Sequence, residues 1–445
     1  MKRDPGNAAN RADVVVVGGG LAGLMAAAVA ARAGRRVLVL EKSRHLGGRA
    51  ATTLHGDVRF NLGPHALFCE GHAFRLLREL GVSFKGSVPK PGRGLFLFGG
   101  RKFVAPQGVM SLVSSTLFSL REKSQLACLP RTLAAVDCRA ADRVSVADWV
   151  NRFTTGEQLR SVVHVFLRLS TYGDDPAHQS AGAALEQLQL ALRGNVWYLD
   201  GGWQAIVDGL HATAAVMGAE VRRSAPVARI ASEADAVKVE LADGSHLLAK
   251  AAIIAAAPRT AAEMLHLPVS HPLAQWSAAA RPALAASLDV AVDRLANPRE
   301  RFALGLDQPT YYSVHSAAAD LAPAGIAVIH VMQYLGSESP EDVSRVEANL
   351  EAVLDLIQPG WRTHVVARRF LPNLVACSAI SAASTAGNAG RPRAAVPGHP
   401  RIFLAGDWVG EQGQLADAVA ASAERAARLA VQVTSAAATC LECCR

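Results

Sequence analysis

The chain has 445 residues, of which 50% are hydrophobic and 19% are charged, and its formal net charge is +8 at pH 7. This length allows two domains with substantial cores, and the composition excludes a disordered protein. The basic residues are scattered rather than clustered with aromatic residues, so a nucleic-acid-binding surface is not expected. Attraction to anionic substrates or membrane surfaces stays open.

The cysteines and the chain ends suggest a compartment. There are seven cysteines, and the four in the body of the chain show no pairing pattern, which is typical of a reducing cytoplasm. We expect residues 436–445, which hold the other three, to form a flexible tail rather than a metal site. The sequence begins without a signal-peptide pattern and holds no run long enough to span a bilayer. We therefore expect a cytoplasmic protein, with peripheral membrane contact left open.

A strand, a glycine turn and a helix come first along the chain. The β-branched run Val14–Val17 predicts a strand buried on both faces, and a helix should follow from about residue 21 to 33. Gly18 permits a tight turn, Gly20 has no Cβ to keep a pyrophosphate away, and Gly23 lets the helix lie close to the strand. The first amides of that helix would then face phosphate groups.

A second strand over residues 35–40 ends in Glu41, 18 residues beyond Gly23. A carboxylate at this position can accept hydrogen bonds from ribose hydroxyls and would repel a 2′-phosphate. Arg49, in a glycine-containing loop after that strand, can neutralise a pyrophosphate. These features predict a site for an ADP-containing dinucleotide, either NAD or FAD.

Along the rest of the chain, segments typical of a dinucleotide-binding domain alternate with segments that lack that pattern. We predict a hairpin over 51–61, a sharp loop over 62–65 and a helix over 71–81. We also predict the elements that follow: a hairpin over 93–103; helices over 109–120, 146–153, 183–192, 204–217, 341–357 and 415–435; strands over 220–223, 227–230, 236–241, 246–249, 251–257, 284–292, 326–333 and 401–405.

The dinucleotide-type elements therefore lie at the start, middle and end of the chain. We predict an α/β protein with a discontinuous Rossmann-like domain formed by 12–87, 196–262 and 395–435. Residues 88–195 and 263–394 would form a second, mixed α+β domain for the substrate.

In its ordered motifs the chain resembles the flavin-containing amine oxidase and phytoene desaturase superfamily of FAD-dependent oxidoreductases. The resemblance rests on residues 18–41, 46–50, 61–65, 199–210, 227, 253–258 and 402–425. It implies FAD as the cofactor. It also implies a set of cofactor-binding residues: Gly18, Gly20, Leu21, Ala22, Gly23, Glu41, Lys42, Gly48, Arg49, Gly63, Pro64, His65, Val227, Gly406, Asp407, Gln414 and Leu415.

Two departures from the amine oxidase pattern bear on the chemistry. Amine oxidases commonly carry a tyrosine where this chain has Gln414, and a lysine near the flavin in the substrate domain, whereas no lysine follows Lys250 here. Both favour the phytoene desaturase-like branch, whose members act on lipophilic polyenes. Asn61 stands where desaturases often have an acidic residue, which weakens any assignment to phytoene itself.

The sequence offers two candidate catalytic residues. His65 follows the Gly63–Pro64 turn and could relay a proton, although a structural histidine fits equally well. Tyr172 lies on a predicted turn and could face the pocket. No metal-ligand spacing stands out. The apolar segment 108–120 could line an entrance or touch a membrane, but an ordinary packed helix fits it better.

Together these features predict an FAD-dependent oxidoreductase that dehydrogenates or desaturates a hydrophobic, isoprenoid-like small molecule by hydride transfer to the flavin. The electron acceptor is unknown from sequence. The alternatives are a flavin amine oxidase and a redox-neutral flavin-dependent isomerase.

Overall fold

The computed structural model describes residues 11–90 and 92–442, within which the strands form four sheets. In chain order the strands are β1 (Arg11–Val17), β2 (Val37–Leu40), β3 (Thr52–His55), β4 (Val58–Asn61), β5 (Leu67–Phe68), β6 (Gly86–Ser87), β7 (Gly94–Phe98), β8 (Arg101–Val104), β9 (Val196–Leu199), β10 (Glu220–Arg222), β11 (Val227–Ser232), β12 (Val237–Leu241), β13 (His246–Ile254), β14 (Ala283–Val292), β15 (Phe302–Gly305), β16 (Thr310–Val314), β17 (Ala327–Gly336), β18 (Val365–Cys377), β19 (Ala395–Val396) and β20 (His399–Leu404). The helices are α1 (Leu21–Arg32), α2 (His72–Glu79), α3 (Val109–Ser114), α4 (Leu120–Ala134), α5 (Val146–Phe153), α6 (Glu157–Thr171), α7 (Ala181–Gly194), α8 (Gln204–Val216), α9 (Pro258–Met264), α10 (Pro272–Ala279), α11 (Val343–Ile357) and α12 (Leu415–Glu442).

The first sheet is built around β1. Its strands β10, β2, β1, β13 and β20 run parallel, and β11 and β12 extend it in antiparallel pairing. Val14–Val17 pair with Val37–Leu40 on one side and with residues 251–254 on the other, and all four valines are buried. Helix α1 packs on this sheet between α8 and α12, which explains why its alanine-rich sequence is buried over residues 21–31.

The strand order reverses beside β1, because β2 lies on one side of it and β13 on the other. The carboxyl ends of these parallel strands therefore open onto one crevice, which is where ligands bind in sheets of this kind. The loops after β1, β2, β13 and β20 all start at this edge.

The second sheet has the order β18–β14–β17–β16–β15–β7–β8 and is antiparallel apart from the pairing of β15 with β7. Because side chains alternate along a strand, its two faces differ. One face presents Leu288, Val290 and Val331 to helix α11. The other presents Ala285 and Met332 to a cluster that includes residues of helices α4 to α7.

Three predicted elements differ from the structure. The expected helix over 109–120 ends at Ser114, and α4 begins at Leu120 with Ser119 as its cap. The serines between the two helices explain the break, because their hydroxyl groups can form hydrogen bonds with nearby backbone groups in place of the helical ones. Ser115, which follows α3, has an extended backbone. The two strands expected over 246–257 are one strand, β13, whose first half pairs with β12 and whose second half pairs with β20.

The third difference lies at the carboxyl end. Helix α12 continues to Glu442, so most of the expected tail over 436–445 is helical, while Cys443 and Cys444 lie outside the described residues. The four cysteines in the body of the chain, Cys69, Cys128, Cys138 and Cys377, form no disulfide. None of the helices in the part of the chain that the structure describes has the length and hydropathy to cross a bilayer.

Candidate functional site

A cavity of about 570 Å³ lies at the carboxyl edge of the first sheet and extends to the second sheet. Its first-sheet wall comes from the loops after β1, β2, β13 and β20. Its second-sheet wall comes from strands β14, β17 and β18. All predicted site residues except Gly23 and Gln414 line it: Gly18, Gly20, Leu21, Ala22, Glu41, Lys42, Gly48, Arg49, Gly63, Pro64, His65, Tyr172, Val227, Gly406, Asp407 and Leu415.

The glycine turn after β1 is crowded on the side that faces strand β13 and open on the side that faces the cavity. A Cβ on Gly18, whose φ is +109°, would lie 2.5 Å from the Ala255 carbonyl oxygen. A Cβ on Gly20 would meet nothing closer than the Gly47 carbonyl at 3.7 Å, so this backbone stays open to the cavity. Gly47 also donates its N–H to the Gly19 carbonyl at 2.9 Å, which joins the two glycine-containing loops into one cradle.

Gly23 does not line the cavity. A Cβ there would lie 1.8 Å from the Gly18 carbonyl oxygen, so the residue permits helix α1 to approach strand β1. This is the packing role predicted from the spacing, while the contact with a cofactor that the resemblance implies for Gly23 stays a prediction.

Glu41 ends β2 with its carboxylate already positioned. One carboxylate oxygen accepts from the Gly19 N–H at 2.6 Å and the other from the Ser43 N–H at 2.8 Å. A carboxylate can accept about four hydrogen bonds, so each oxygen retains capacity for a ribose hydroxyl.

Arg49 and Asp407 form a pair that joins the start of the chain to its end. The two guanidinium nitrogens donate to the two carboxylate oxygens at 2.7 and 2.9 Å, and the Ser378 N–H donates to the same carboxylate at 2.8 Å. Burial would raise the pKa of Asp407, but Arg49 and Ser378 outweigh it and hold that pKa well below its usual range. Arg49 remains 45% exposed, so part of its guanidinium faces the cavity.

Gln414 precedes helix α12 as predicted, but its side chain has another partner. Its amide donates to the Ala183 carbonyl in helix α7 at 2.5 Å, and Gln414 does not line the cavity. The resemblance implies a cofactor contact here through the first amides of the helix, and that contact stays a prediction. The next residue, Leu415, does line the cavity and has a left-handed φ of +52°, a conformation that costs energy in a branched residue.

The two candidate catalytic residues lie close together. The His65 Nδ1–H donates to the Gly63 carbonyl at 3.0 Å, and its ring packs against Trp203 with a centroid distance of 5.0 Å. Burial lowers the pKa of His65 to about 4, so the ring is neutral at pH 7 and its Nε2 carries a lone pair. The Tyr172 hydroxyl donates to the Pro64 carbonyl at 2.8 Å, and burial raises the pKa of Tyr172 well above its ordinary value.

The structure adds a row of polar residues that the sequence analysis missed. Across four strands, Arg369 pairs with Asp289, Asp289 with His330, and His330 with Ser313. Asp289 is fully buried and accepts from His330 Nδ1 at 2.6 Å, from Arg369 Nε at 3.0 Å and from the Ser287 hydroxyl at 2.7 Å. Burial would raise the pKa of Asp289, but His330 and Arg369 hold it below its ordinary value.

This polar row supports the loop that carries His65. Arg369 also donates to the carbonyls of Asn61 and Phe60 and to the Thr53 hydroxyl, which fixes the hairpin β3–β4 on the second sheet. His330 and Met332 share one face of β17, as Asp289 and Ala285 share one face of β14, so the row continues the second-sheet wall. The sequence signal for it was weak: Ser287 and Asp289 alternate with aliphatic residues in β14, and His330 interrupts an aliphatic run in β17.

The fold and this cavity are those of a dinucleotide-binding protein, and comparisons with known proteins identify its family. The family model described as flavin containing amine oxidoreductase matches residues 21–431. The chain therefore belongs to this family, and it is an FAD-dependent oxidoreductase. The glycine cradle, Glu41 and the partly exposed Arg49 fit FAD, since they offer backbone amides and a cation to phosphates and an acceptor to ribose hydroxyls.

Individual relatives differ in their named activities. The chain is 28% identical over 287 residues to a probable flavin-containing monoamine oxidase A of Dictyostelium discoideum, covering 58% of this chain and 60% of the relative. It is 41% identical over 75 residues to a phytoene desaturase of Cercospora nicotianae, covering 17% and 12% of the two chains. The chain thus matches less than two thirds of either relative's length.

Among solved structures, an oxidoreductase from Methanosarcina mazei superposes with a TM-score of 0.74 at 19% identity, covering 93% of this chain and 99% of the other. This likeness shows that the α/β fold is shared.

Proposed function

We propose that the enzyme dehydrogenates or desaturates a hydrophobic small molecule, such as an isoprenoid, at a carbon centre. The observation that carries this proposal is the second-sheet wall of the cavity. Its lining side chains are uncharged: Ala285, Met332, Leu374, Val375 and Ala376. An apolar wall stabilises a hydrocarbon substrate through burial and offers nothing to an ammonium group.

The acidic residues of the cavity do not change this conclusion. Among the described lining residues the carboxylates are Glu41 and Asp407. Each carboxylate already accepts two or more hydrogen bonds, and Asp407 is neutralised by Arg49. Neither is a free partner for a cationic amine.

FAD, when bound, supplies a two-electron acceptor for a hydride from a C–H bond of the substrate. Desaturation also releases a proton from the neighbouring carbon. Neutral His65 can hold that proton at Nε2, because its Nδ1 is committed to the Gly63 carbonyl. The carbonyls of Gly63 and Arg49 favour the protonated ring and partly offset its burial.

The test is anaerobic mixing of the FAD-loaded enzyme with polyene hydrocarbons and with primary amines. We expect the flavin absorbance to bleach with a polyene and an unsaturated product to form. A matched pair of variants on β18 strengthens the test. Leu374→Gln places an amide in the apolar wall and should lower kcat/KM for a polyene about tenfold, the order of a lost apolar contact. Val366→Thr, on the same strand but outside the cavity lining, should leave kcat/KM unchanged.

Two other activities are outcomes of the same experiment. Bleaching by an amine, with peroxide on re-aeration, would replace the proposal with an amine oxidase, as the partial match to a monoamine oxidase would suggest. Product formed without bleaching or an added acceptor would indicate a redox-neutral isomerase.

A further inference from the structure

Four aliphatic side chains project into solvent from helix α3 and the start of helix α4. Val109 is 77% exposed, Met110 85%, Val113 66% and Leu120 86%. We call these four residues the apolar ridge. Single exposed aliphatic residues are common on proteins, but a group this exposed within twelve residues marks an interaction surface.

The ridge is continuous across the break between the two helices. Val109 and Val113 are four residues apart on α3, so they lie on one face, and Met110 adjoins them. The Lys123 ammonium donates to the Val113 carbonyl at 2.7 Å, which holds the first turn of α4 beside α3. Leu120 is three residues before Lys123 and therefore shares its side of α4.

The ridge is not a misplaced part of the core. Phe118, Leu129 and Leu133, from the same segment, are buried and anchor it to the cluster formed by helices α4 to α7. The inward face of the segment is thus already packed. The ridge is what remains on its outward face.

The outward-facing charges of the segment that carries the ridge have one sign. Residues 104–135 contain three basic residues, Arg121, Lys123 and Arg131, and one acidic residue, Glu122. Glu122 is buried, and its carboxylate accepts hydrogen bonds from the Ser119 and Leu159 N–H groups. The outward charge of this segment is therefore positive.

We propose that the apolar ridge docks the enzyme on the surface of an anionic lipid bilayer. Aliphatic side chains that project beside cations suit the boundary between acyl chains and anionic headgroups. A protein partner fits less well, because binding hot spots are enriched in tryptophan, tyrosine and arginine rather than in valine. This proposal is independent of the substrate proposed above, since it concerns residues that do not line the FAD cavity.

The test is co-sedimentation of the FAD-loaded full chain with vesicles of phosphatidylcholine, with and without phosphatidylglycerol. We expect binding to the phosphatidylglycerol vesicles that weakens at high salt, because the headgroup attraction is screened. The variant Val109→Ser/Met110→Ser/Val113→Ser/Leu120→Ser should bind at least tenfold more weakly. Arg121→Gln/Arg131→Gln should weaken binding to anionic vesicles by roughly tenfold.

The matched control is Val216→Ser/Val269→Ser, which removes two aliphatic side chains that are 90% and 87% exposed elsewhere. It should bind vesicles like the wild type. An unchanged flavin spectrum and melting temperature would show that each variant is folded. Failure of the wild type to bind anionic vesicles, or equal binding by the ridge variant, would overturn the proposal. So would a wild-type dimer that the ridge variant converts to a monomer, because the ridge would then bind a second copy of this chain.

Discussion

The two walls of the cavity are built in different ways. The first-sheet wall consists largely of glycines and backbone groups in the loops after β1, β2, β13 and β20, where Gly18 and Gly20 set the approach of the ligand. The second-sheet wall consists of side chains on β14, β17 and β18, and the row from Arg369 to Ser313 continues it on the same face of the sheet. The first-sheet wall therefore depends on backbone geometry, and the second-sheet wall depends on side-chain packing and buried charge.

The largest expected effect concerns the buried polar row that continues the second-sheet wall. Asp289→Asn removes the carboxylate that pairs with Arg369 and His330, and it should lower the free energy of unfolding by about 3–5 kcal/mol. Urea unfolding at pH 7 measures this change. Asp293→Asn is the matched control, because its pair with His364 is 60% and 35% exposed. It should cost at most about 1 kcal/mol, and an equal loss in both variants would contradict a special role for the row.

Gly18→Ala tests the first-sheet wall. The added Cβ would clash with the Ala255 carbonyl at a positive φ, so we expect FAD affinity to fall at least about a hundredfold, roughly 2.7 kcal/mol. FAD titration of the deflavinated protein measures it. Gly34→Ala also has a positive φ but no heavy atom within 4 Å of the new Cβ. It should reduce stability by roughly 1 kcal/mol and keep its FAD, which separates crowding from backbone strain.

His65 links the two walls, and its pH dependence has a definite sign. The folded pKa is about 4 and the ordinary value 6.5, so between these pH values the unfolded chain binds a proton that the folded chain does not. The contribution of neutral His65 to the free energy of unfolding is fully present above about pH 6.5, and it is lost as the pH falls from 6.5 to 4. Over that interval the wild type should lose about 2 kcal/mol more than His65→Gln in urea unfolding. Parallel curves for the two proteins would refute the lowered pKa.

The smallest expected effect is at the pair that closes the first-sheet wall. Asp407→Asn should reduce stability by only about 1–2 kcal/mol, because solvent screens the partly exposed Arg49, and should weaken FAD binding about tenfold. Arg49 lowers the pKa of Asp407, so this stabilisation is present above about pH 4 and lost below it. The two proteins should therefore converge in stability in acid. Asp13→Asn, at the opposite end of β1, should leave FAD affinity unchanged.

The difference between the walls also explains what the sequence could predict. The unit β1–α1–β2, the hairpin over 51–61 and the loop 62–65 follow from local spacing, because glycine, β-branched and apolar residues stand at fixed intervals. The structure places those elements within three residues of their predicted ends. It also confirms the discontinuous use of the chain in the first sheet, where β1, β13 and β20 are neighbours.

Contacts between residues far apart in the sequence do not follow from local spacing. Asp289 and His330 are 41 positions apart and belong to no motif, so only the register of β14 with β17 brings them together. Helix α6 was missed, and the hydrogen bond from the Gln414 side chain to the Ala183 carbonyl was not predicted. In each case the structure depends on contacts with a helix or strand that is distant in the sequence.

The bond between Arg49 and Asp407 spans 358 positions of the chain, and β20 and α12 complete the same edge. During synthesis the glycine cradle leaves the ribosome long before the carboxylate that orients Arg49. Domains fold as units once their sequence is available, and contacts between distant positions form slowly. A chain that stops before residue 401 would contain every glycine of the phosphate cradle and lack the strand and helix that close it. We therefore expect such a chain to retain FAD less tightly than one that includes β20 and α12.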